Sequence, residues 1–110
     1  MSGRRGLLLG GALALPGAAA LAQGAGLQPH VLYSSTRDQA DLATMRRLLG
    51  CGIQVAAEDS NFYEGLAPDF YVVISDPLPS RAAAEAQLAR AKDCGVTGQL
   101  RMARRRVAPH

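Results

Sequence analysis

The chain is poor in the features that mark many catalytic and membrane-spanning proteins. It has only two cysteines, and neither has a second Cys or a His at the spacing of metal ligands. No G-x-S-x-G sequence is present, so the sharp turn that presents a nucleophilic serine is not expected. No apolar run reaches the roughly 20 residues that a membrane-spanning helix needs. We therefore predict no metal site, no cofactor and no permanent membrane anchor.

The first 22 residues have the pattern of an export signal. Paired arginines precede an apolar stretch from Leu7 to Leu15, and small residues at Ala20 and Ala22 suit a signal peptidase. We predict a signal peptide over residues 1–22 and a periplasmic protein. The paired arginines leave two export routes open, the twin-arginine route and the general secretory route. No Cys lies near the predicted cleavage site, which argues against a lipoprotein.

The chain beyond the predicted signal peptide is expected to form one small domain with a basic end. Removing 22 of the 110 residues leaves 88, which is enough for one core but not for a deep walled cleft. This size argues against an elaborate cofactor enzyme. Residues 104–110 form a basic tail, whose arginines either contact an anionic surface or stay solvated. Export argues against nucleic acid as a partner.

Hydrophobic periodicity predicts strand, helix and strand in the first half of the domain. A flexible lead-in over residues 23–28 is followed by a strand over residues 30–33. Ser35 or Thr36 is the predicted N-cap of the next helix, which glycines end. A second strand is predicted over residues 53–57.

The same order of elements is predicted for the second half. A polar loop from Asp59 to Asp69 precedes the strongest strand signal, residues 70–74. Ser80 is the predicted N-cap of a helix that continues to Asp93, and a fourth strand covers residues 96–102.

The two halves match at an offset of 43 residues. Equivalent residues are Ala40 and Ala83, Met45 and Leu88, Leu48 and Ala91, Cys51 and Cys94, Gly52 and Gly95, and Ile53 and Val96. This internal β-α-β repeat predicts an α+β fold, the ferredoxin-like β-α-β-β-α-β plait, with a four-stranded antiparallel sheet and two helices on one face.

The predicted plait argues against a disulfide between Cys51 and Cys94. Each Cys follows the C-terminal end of one helix, and antiparallel helices place those ends at opposite sides of the domain. A helix of about 13 residues is ~20 Å long, whereas a disulfide needs Cα atoms about 4.4 to 6.8 Å apart. We therefore predict two buried free thiols.

Two segments resemble the SPOR (sporulation-related repeat) domain. Residues 71–86, YVVISDPLPSRAAAEA, resemble the family pattern Y-R-V-x-V-G-P-F-x-S-R-A-E-A-E-A, and Val31 to Leu42 is similar to V-Q-V-G-S-F-x-x-x-A-x-A. The resemblance covers about residues 29–103, the predicted SPOR-like domain. It implies a plait exported by bacteria that binds peptidoglycan and prefers glycan strands stripped of their peptides.

The sequence departs from the family pattern at several strand positions. Leu32 replaces a Gln, Ser34 a Gly and Thr36 a Phe, and Asp76 replaces the glycine of the second half. Ser35 still matches a position that is tied to glycan binding in the family.

The family register predicts which strand residues lie on each face of the sheet. Those facing the helices are Val31, Tyr33, Tyr71, Val73 and Ser75. Those facing outward are His30, Leu32, Phe70, Val72 and Ile74. An outward apolar patch of this kind marks an interaction surface. It has three candidate occupants: a glycan strand, a second copy of the chain, or the lead-in or the loop with Phe62 and Tyr63 folded across it.

We therefore predict an exported, non-enzymatic module that binds the glycan strands of peptidoglycan through the open face of its sheet. The predicted binding residues are His30, Leu32, Ser35, Phe70, Val72 and Ile74. The alternative is a protein-interaction or homodimerisation module with the same fold that has lost glycan binding.

Two groups of residues resemble catalytic sites but are not interpreted as such. His30 lies near Ser34 and Ser35, but no acid is placed to orient the imidazole. The acids Glu58, Asp59 and Glu64 cluster around one loop and resemble a paired-carboxylate site, but loop carboxylates are mostly solvated. We predict no catalytic residues.

Overall fold

The computed structural model describes residues 26–106, and these form an α+β domain, as predicted. Two helices accompany a five-stranded sheet in which every neighbouring pair of strands is antiparallel. In chain order the elements are β1 (Gln28–Thr36), α1 (Leu42–Gly50), β2 (Val55–Asp59), β3 (Tyr63–Glu64), β4 (Tyr71–Ser75), α2 (Arg81–Asp93) and β5 (Gln99–Arg105). The predicted signal peptide and residues 23–25 of the lead-in lie outside the described residues.

The strands lie in the order β2, β4, β1, β5, β3 across the sheet. The first four correspond to the four predicted strands, and β3 is an addition within the predicted loop. Tyr63 and Glu64 of β3 pair with Arg105 and Arg104. Arg104 and Arg105 therefore lie in β5 rather than in the tail predicted to start at residue 104.

The first helix begins later than the sequence predicts, because its N-cap is Asp41. The carboxylate of Asp41 accepts a hydrogen bond from the backbone N–H of Thr44 at 3.1 Å and one from its hydroxyl at 2.7 Å. These two bonds hold the pKa of Asp41 below its ordinary value. The predicted caps Ser35 and Thr36 are wrong, since both residues continue β1 and pair with β4.

The second helix is confirmed at both ends. It spans Arg81–Asp93, and the Ser80 hydroxyl caps it by accepting a hydrogen bond from the N–H of Ala83 at 3.0 Å. The segment between β4 and this helix contains two prolines, which cannot donate to a strand ladder. The strand therefore ends at Ser75 and the helix begins after the cap.

Both helices end in the same arrangement of backbone hydrogen bonds. At the end of α1 the N–H of Ile53 donates to the carbonyl of Leu48, and at the end of α2 the N–H of Val96 donates to that of Ala91. A glycine with positive φ precedes each donor. This is the Schellman motif, in which glycine takes the left-handed conformation at little cost. Its apolar residues, Leu48, Ile53, Ala91 and Val96, all lie in the core.

The prediction of free thiols is wrong, because Cys51 and Cys94 form a disulfide. Their Cα atoms are 6.5 Å apart, since Ile53 and Val96 carry the two helix ends into one core cluster. The prediction assumed antiparallel helices of about 13 residues, which would place their C-terminal ends at opposite sides of the domain. In the structure α1 has only nine residues and the two C-terminal ends meet. Cys51 is exposed and Cys94 is half-buried.

The main core lies between the helices and one face of the sheet. Both helices contribute buried side chains to it, and so do strands β1, β2 and β4. Within this layer the Tyr33 hydroxyl donates a hydrogen bond of 2.8 Å to Gln87 of α2, and burial raises the pKa of Tyr33 to about 12. Val31, Tyr33 and Val73 face the helices, as predicted. Tyr71, predicted to face them too, is 42% exposed.

A second apolar cluster lies on the opposite face of the sheet, here called the reverse face. Val72 and Ile74 point to this face, as predicted, but they are only 2% and 1% exposed. Residues 60–70, here called the cover segment, fold across the face and pack Tyr63 and Leu66 against it. The prediction of an open apolar face is therefore wrong, and the alternative in which this loop covers it is confirmed.

Candidate functional site

A β-bulge in β1 determines which side chains reach the reverse face. Leu32 lies opposite Ile74 and Ser35 lies opposite Val72, with the register shifting between Leu32 and Ser34. Residues directly opposite each other in neighbouring strands share a face. Strict alternation from Leu32 would place Ser34 on the reverse face, but the extra residue of the bulge places Ser35 there. Ser35 is exposed, so its hydroxyl is accessible on this face.

The ends of the cover segment are held together by hydrogen bonds. The N–H of Ser60 donates to the carbonyl of Phe70 at 2.8 Å, and the N–H of Phe70 donates to the Ser60 hydroxyl at 3.0 Å. One step further in, the amide side chain of Asn61 bonds both the backbone N–H and the carboxylate of Asp69. These bonds define a compact loop of the kind that often carries function.

The tip of the cover segment lies close to β5. Gly65 has a φ of +98°, and a Cβ at this position would overlap the backbone carbonyl of Met102. Only glycine combines this backbone conformation with so close an approach. The segment therefore crosses the sheet next to β5 and leaves part of β1 uncovered.

Two hollows flank the uncovered part of β1, each with a volume of about 250 Å³. The cover-side hollow is lined by Leu32, Ser35, Gly65, Leu66, Ala67, Phe70, Val72 and Arg101. The loop-side hollow is lined by Leu32, Tyr33, Ser34, Ser35, Thr97, Gly98 and Gln99. Because Leu32 and Ser35 line both hollows, the two adjoin at β1, and together they are here called the groove.

Arginine side chains give the cover-side hollow a positive charge. Arg101 is exposed and is the single charged residue among those that line it. The guanidinium of Arg37 lies 4.4 Å from the centroid of the Phe70 ring, in the geometry of a cation–π contact. Neither arginine forms an ion pair with any residue between 26 and 106. The hollow thus combines apolar side chains with uncompensated positive charge.

The structure divides the six predicted site residues into two groups. Leu32, Ser35, Phe70 and Val72 line the groove, although Val72 reaches it only with a small part of its surface. The other two residues, His30 and Ile74, are 2% and 1% exposed and do not line the groove, although His30 lines a separate hollow with Tyr63.

His30 has a structural role in the closed domain. Its Nδ1 lies 3.0 Å from the carbonyl oxygen of Ser75, and its ring meets that of Tyr63 edge to face at 5.7 Å between centroids. Since the carbonyl can only accept, Nδ1 carries the proton of this hydrogen bond. His30 therefore joins two strands and supports Tyr63 of the cover segment.

The carboxylates that resemble a paired-acid site are engaged with arginines of β5 and with Arg106. Glu64 accepts a hydrogen bond from Arg104 at 2.6 Å and lies 3.6 Å from Arg106, and Glu58 pairs with Arg105. The hydrogen bond from Arg104 is the main reason that the pKa of Glu64 lies below its ordinary value. A carboxylate held in the anionic form is a poor proton donor, so Glu64 is suited to attach β3 to β5, while Glu58 links β2 to β5.

Sequence reasoning missed the groove residues that lie outside the predicted strand face. Leu66 enters the groove because the cover segment folds back, and Thr97, Gly98 and Gln99 enter it because the loop after α2 passes the bulge. Arg101 is different. It lies two residues before Ala103 in β5, so the two side chains share a face, and Arg101 could have been assigned to the reverse face from the sequence. The alternation of side chains along β5 was the signal that could have identified Arg101.

Between residues 26 and 106, no helix has the length and apolar character needed to cross a membrane. That same part of the chain holds no group of three or more His, Cys, Asp or Glu side chains suited to a metal ion. Comparisons with models of protein families, with curated proteins and with solved structures found no match.

Proposed function

We propose that this chain is an exported, non-enzymatic module that binds a glycan strand of peptidoglycan through the groove. The proposal builds on the SPOR-like residues of the sequence. The observation that carries it is the β-bulge that places Ser35, the residue matching a glycan-binding position of that family, where the two hollows of the groove adjoin. Bulges are frequent next to binding sites because they redirect a side chain.

The proposal includes the ferredoxin-like plait, with β3 as an addition at the edge. Its support is the strand order β2, β4, β1, β5, with antiparallel pairing throughout and both helices packed on one face. The identical ends of the two helices support an origin by duplication of one β-α-β unit. We expect the plait to serve as the rigid frame that positions the groove.

The chemistry of the groove suits a sugar polymer. Leu32, Leu66 and Phe70 present apolar surface that can pack against the C–H faces of sugar rings, and the hydroxyl of Ser35 can bond sugar hydroxyls. The groove consists of two hollows, so it can accommodate two consecutive sugars of a glycan strand. A small isolated ligand would need only one of them.

The alternative of a dimer through the reverse face has less support. It requires Val72 and Ile74 to be accessible to a second copy, but the cover segment buries both residues. The apolar surface on which the dimer prediction was based is therefore already buried within one chain. Size-exclusion chromatography with light scattering is expected to report a monomer.

Sedimentation with purified sacculi tests the proposal. Wild-type protein is expected to pellet with sacculi that an amidase has stripped of peptides, and Ser35→Trp is expected to stay in the supernatant because the indole fills the groove. Ala86→Trp places the same side chain on the exposed surface of α2 and should pellet like the wild type. If the wild type fails to pellet, glycan binding is wrong. If Ser35→Trp pellets as well as the wild type, the groove is not the binding site.

A further inference from the structure

The two hollows of the groove differ in charge. Arg101 lines the cover-side hollow and Arg37 lies over Phe70 in its wall, whereas the polar residues of the loop-side hollow are uncharged. These uncharged residues are Ser34, Ser35, Thr97 and Gln99. A ligand that fits both hollows would therefore place a negative group in one and a neutral polar group in the other.

Arg101 is free to bind such a negative group. Its side chain makes no hydrogen bond or ion pair with another residue of the described chain, whereas the side chains of the three arginines at positions 104 to 106 all bond protein groups. Its Cα partner across the ladder is His30, which is buried. The guanidinium therefore faces the groove and solvent, and has no carboxylate to neutralise it.

We infer that Arg101, assisted by Arg37, forms a carboxylate subsite that reads the acidic sugar of the strand. This inference rests on the proposed function. In peptidoglycan the muramic acid carries a lactyl carboxyl group, which is an amide while the peptide is attached and a free carboxylate once the peptide is removed. Arginine binds a carboxylate through two parallel hydrogen bonds, which a neutral amide cannot accept equally. The neutral amino sugar then occupies the loop-side hollow.

The subsite explains by charge how one groove could distinguish stripped from peptide-bearing strands. A lysine would supply the same charge but not the planar pair of donors. Arg37 contributes a second positive charge while its stacking on Phe70 keeps it beside the groove. The acid subsite also fixes the register of the strand in the groove, because the acidic and neutral sugars alternate.

Fluorescence anisotropy with two labelled oligosaccharides of equal length tests the inference. One is a peptide-free strand of alternating neutral and muramic sugars, and the other is a chitin oligosaccharide, which lacks the carboxylates. The wild type is expected to bind the acidic strand at least 10-fold more tightly. Arg101→Gln should weaken binding of the acidic strand by about 10- to 100-fold, the range for a hydrogen bond to a charged group, and leave binding of chitin unchanged.

Control variants separate this subsite from general charge and from misfolding. Arg46→Gln removes an exposed arginine of α1 that does not line the groove, and should bind both strands like the wild type. Arg101→Lys should fall between the wild type and Arg101→Gln. Circular dichroism should show the same fold for all variants, since both arginines are exposed.

The outcomes distinguish the inference from the proposed function. If the wild type binds both strands equally, or if Arg101→Gln keeps the preference for the acidic strand, the carboxylate subsite is wrong and glycan binding stands. If the wild type binds neither strand, both are wrong. Equal loss in Arg46→Gln and Arg101→Gln would show attraction by overall charge and would also overturn the subsite.

Discussion

Removal of the disulfide should destabilise the domain by several kcal/mol. Cys51 and Cys94 are separated by 43 residues, and closing a loop of this length in the unfolded chain corresponds to about 4 kcal/mol by the chain-entropy relation. Cys51 is exposed and Cys94 half-buried, so replacing both by Ala leaves little of a cavity. For a domain of this size, the loss corresponds to a decrease in Tm of roughly 15 to 30 °C.

Urea denaturation followed by circular dichroism measures this loss. The free energy of unfolding of Cys51→Ala/Cys94→Ala should match that of the wild type in reductant, and reductant should not affect the double variant. After alkylation without reductant, the intact mass of the wild type should be two hydrogens below that of the reduced chain, with no alkyl group added. A loss below about 1 kcal/mol would refute the reasoning, because the core would then hold the helix ends together without the covalent link.

Three further substitutions test other parts of the structure. Gly98→Ala should lower the free energy of unfolding by about 1 to 3 kcal/mol in urea melts, because its Cβ would lie 2.8 Å from core side chains, whereas Gly50→Ala meets no atom and should not destabilise. Asp41→Ala should cost about 0.5 to 2 kcal/mol at neutral pH, and an unchanged stability would contradict its role as N-cap. The pKa of Asp41 is lowered, so its contribution is present above its unfolded pKa and is lost as the pH falls through its folded pKa. Wild type and variant should therefore converge in acid. Gly65→Ala should loosen the cover segment and increase binding of a hydrophobic dye, and unchanged dye binding would contradict the packing of that segment on the sheet.

The elements predicted best are those whose signals are local in the sequence. The run of β-branched residues before Ser75 forms β4, and Ser80 caps α2 as its spacing to the helix indicates. Ser35 and Thr36 have the residue types of a cap but lie in a strand, because pairing with β4 extends β1 through them. A capping pattern carries no information about such a distant partner.

The disulfide and the covered face were mispredicted for the same physical reason. Both depend on contacts between residues far apart in sequence, such as Tyr63 with Arg105 and Cys51 with Cys94. The alternation of Val72, Val73 and Ile74 correctly divided the strand between two faces. It could not indicate that residues 60–70 fold over one of them.

The lining of the groove was predicted in part: the cover segment excludes His30 and Ile74, and the bulge brings Ser35 to the reverse face. The residues that the family register assigns to the reverse face include Leu32 and Phe70, and both line the groove. Ser35 was identified only by its match to a family position, since alternation would turn it toward the helices. Thr97 and Gln99 depend on where the loop after α2 passes, which no local pattern indicates.

The bulge in β1 also links two properties that could otherwise change separately in evolution: the packing of Tyr33 in the core and the direction of the Ser35 side chain. Tyr33 lies within it and is anchored to Gln87 of α2, while Ser35, two residues later, faces the opposite side of the sheet. A substitution that shifts Tyr33 in the core will also change the direction of the Ser35 side chain on the reverse face. Changes in ligand preference should therefore arise from mutations at sites that no ligand touches, and a deletion of one residue here would exchange the two sides of the strand.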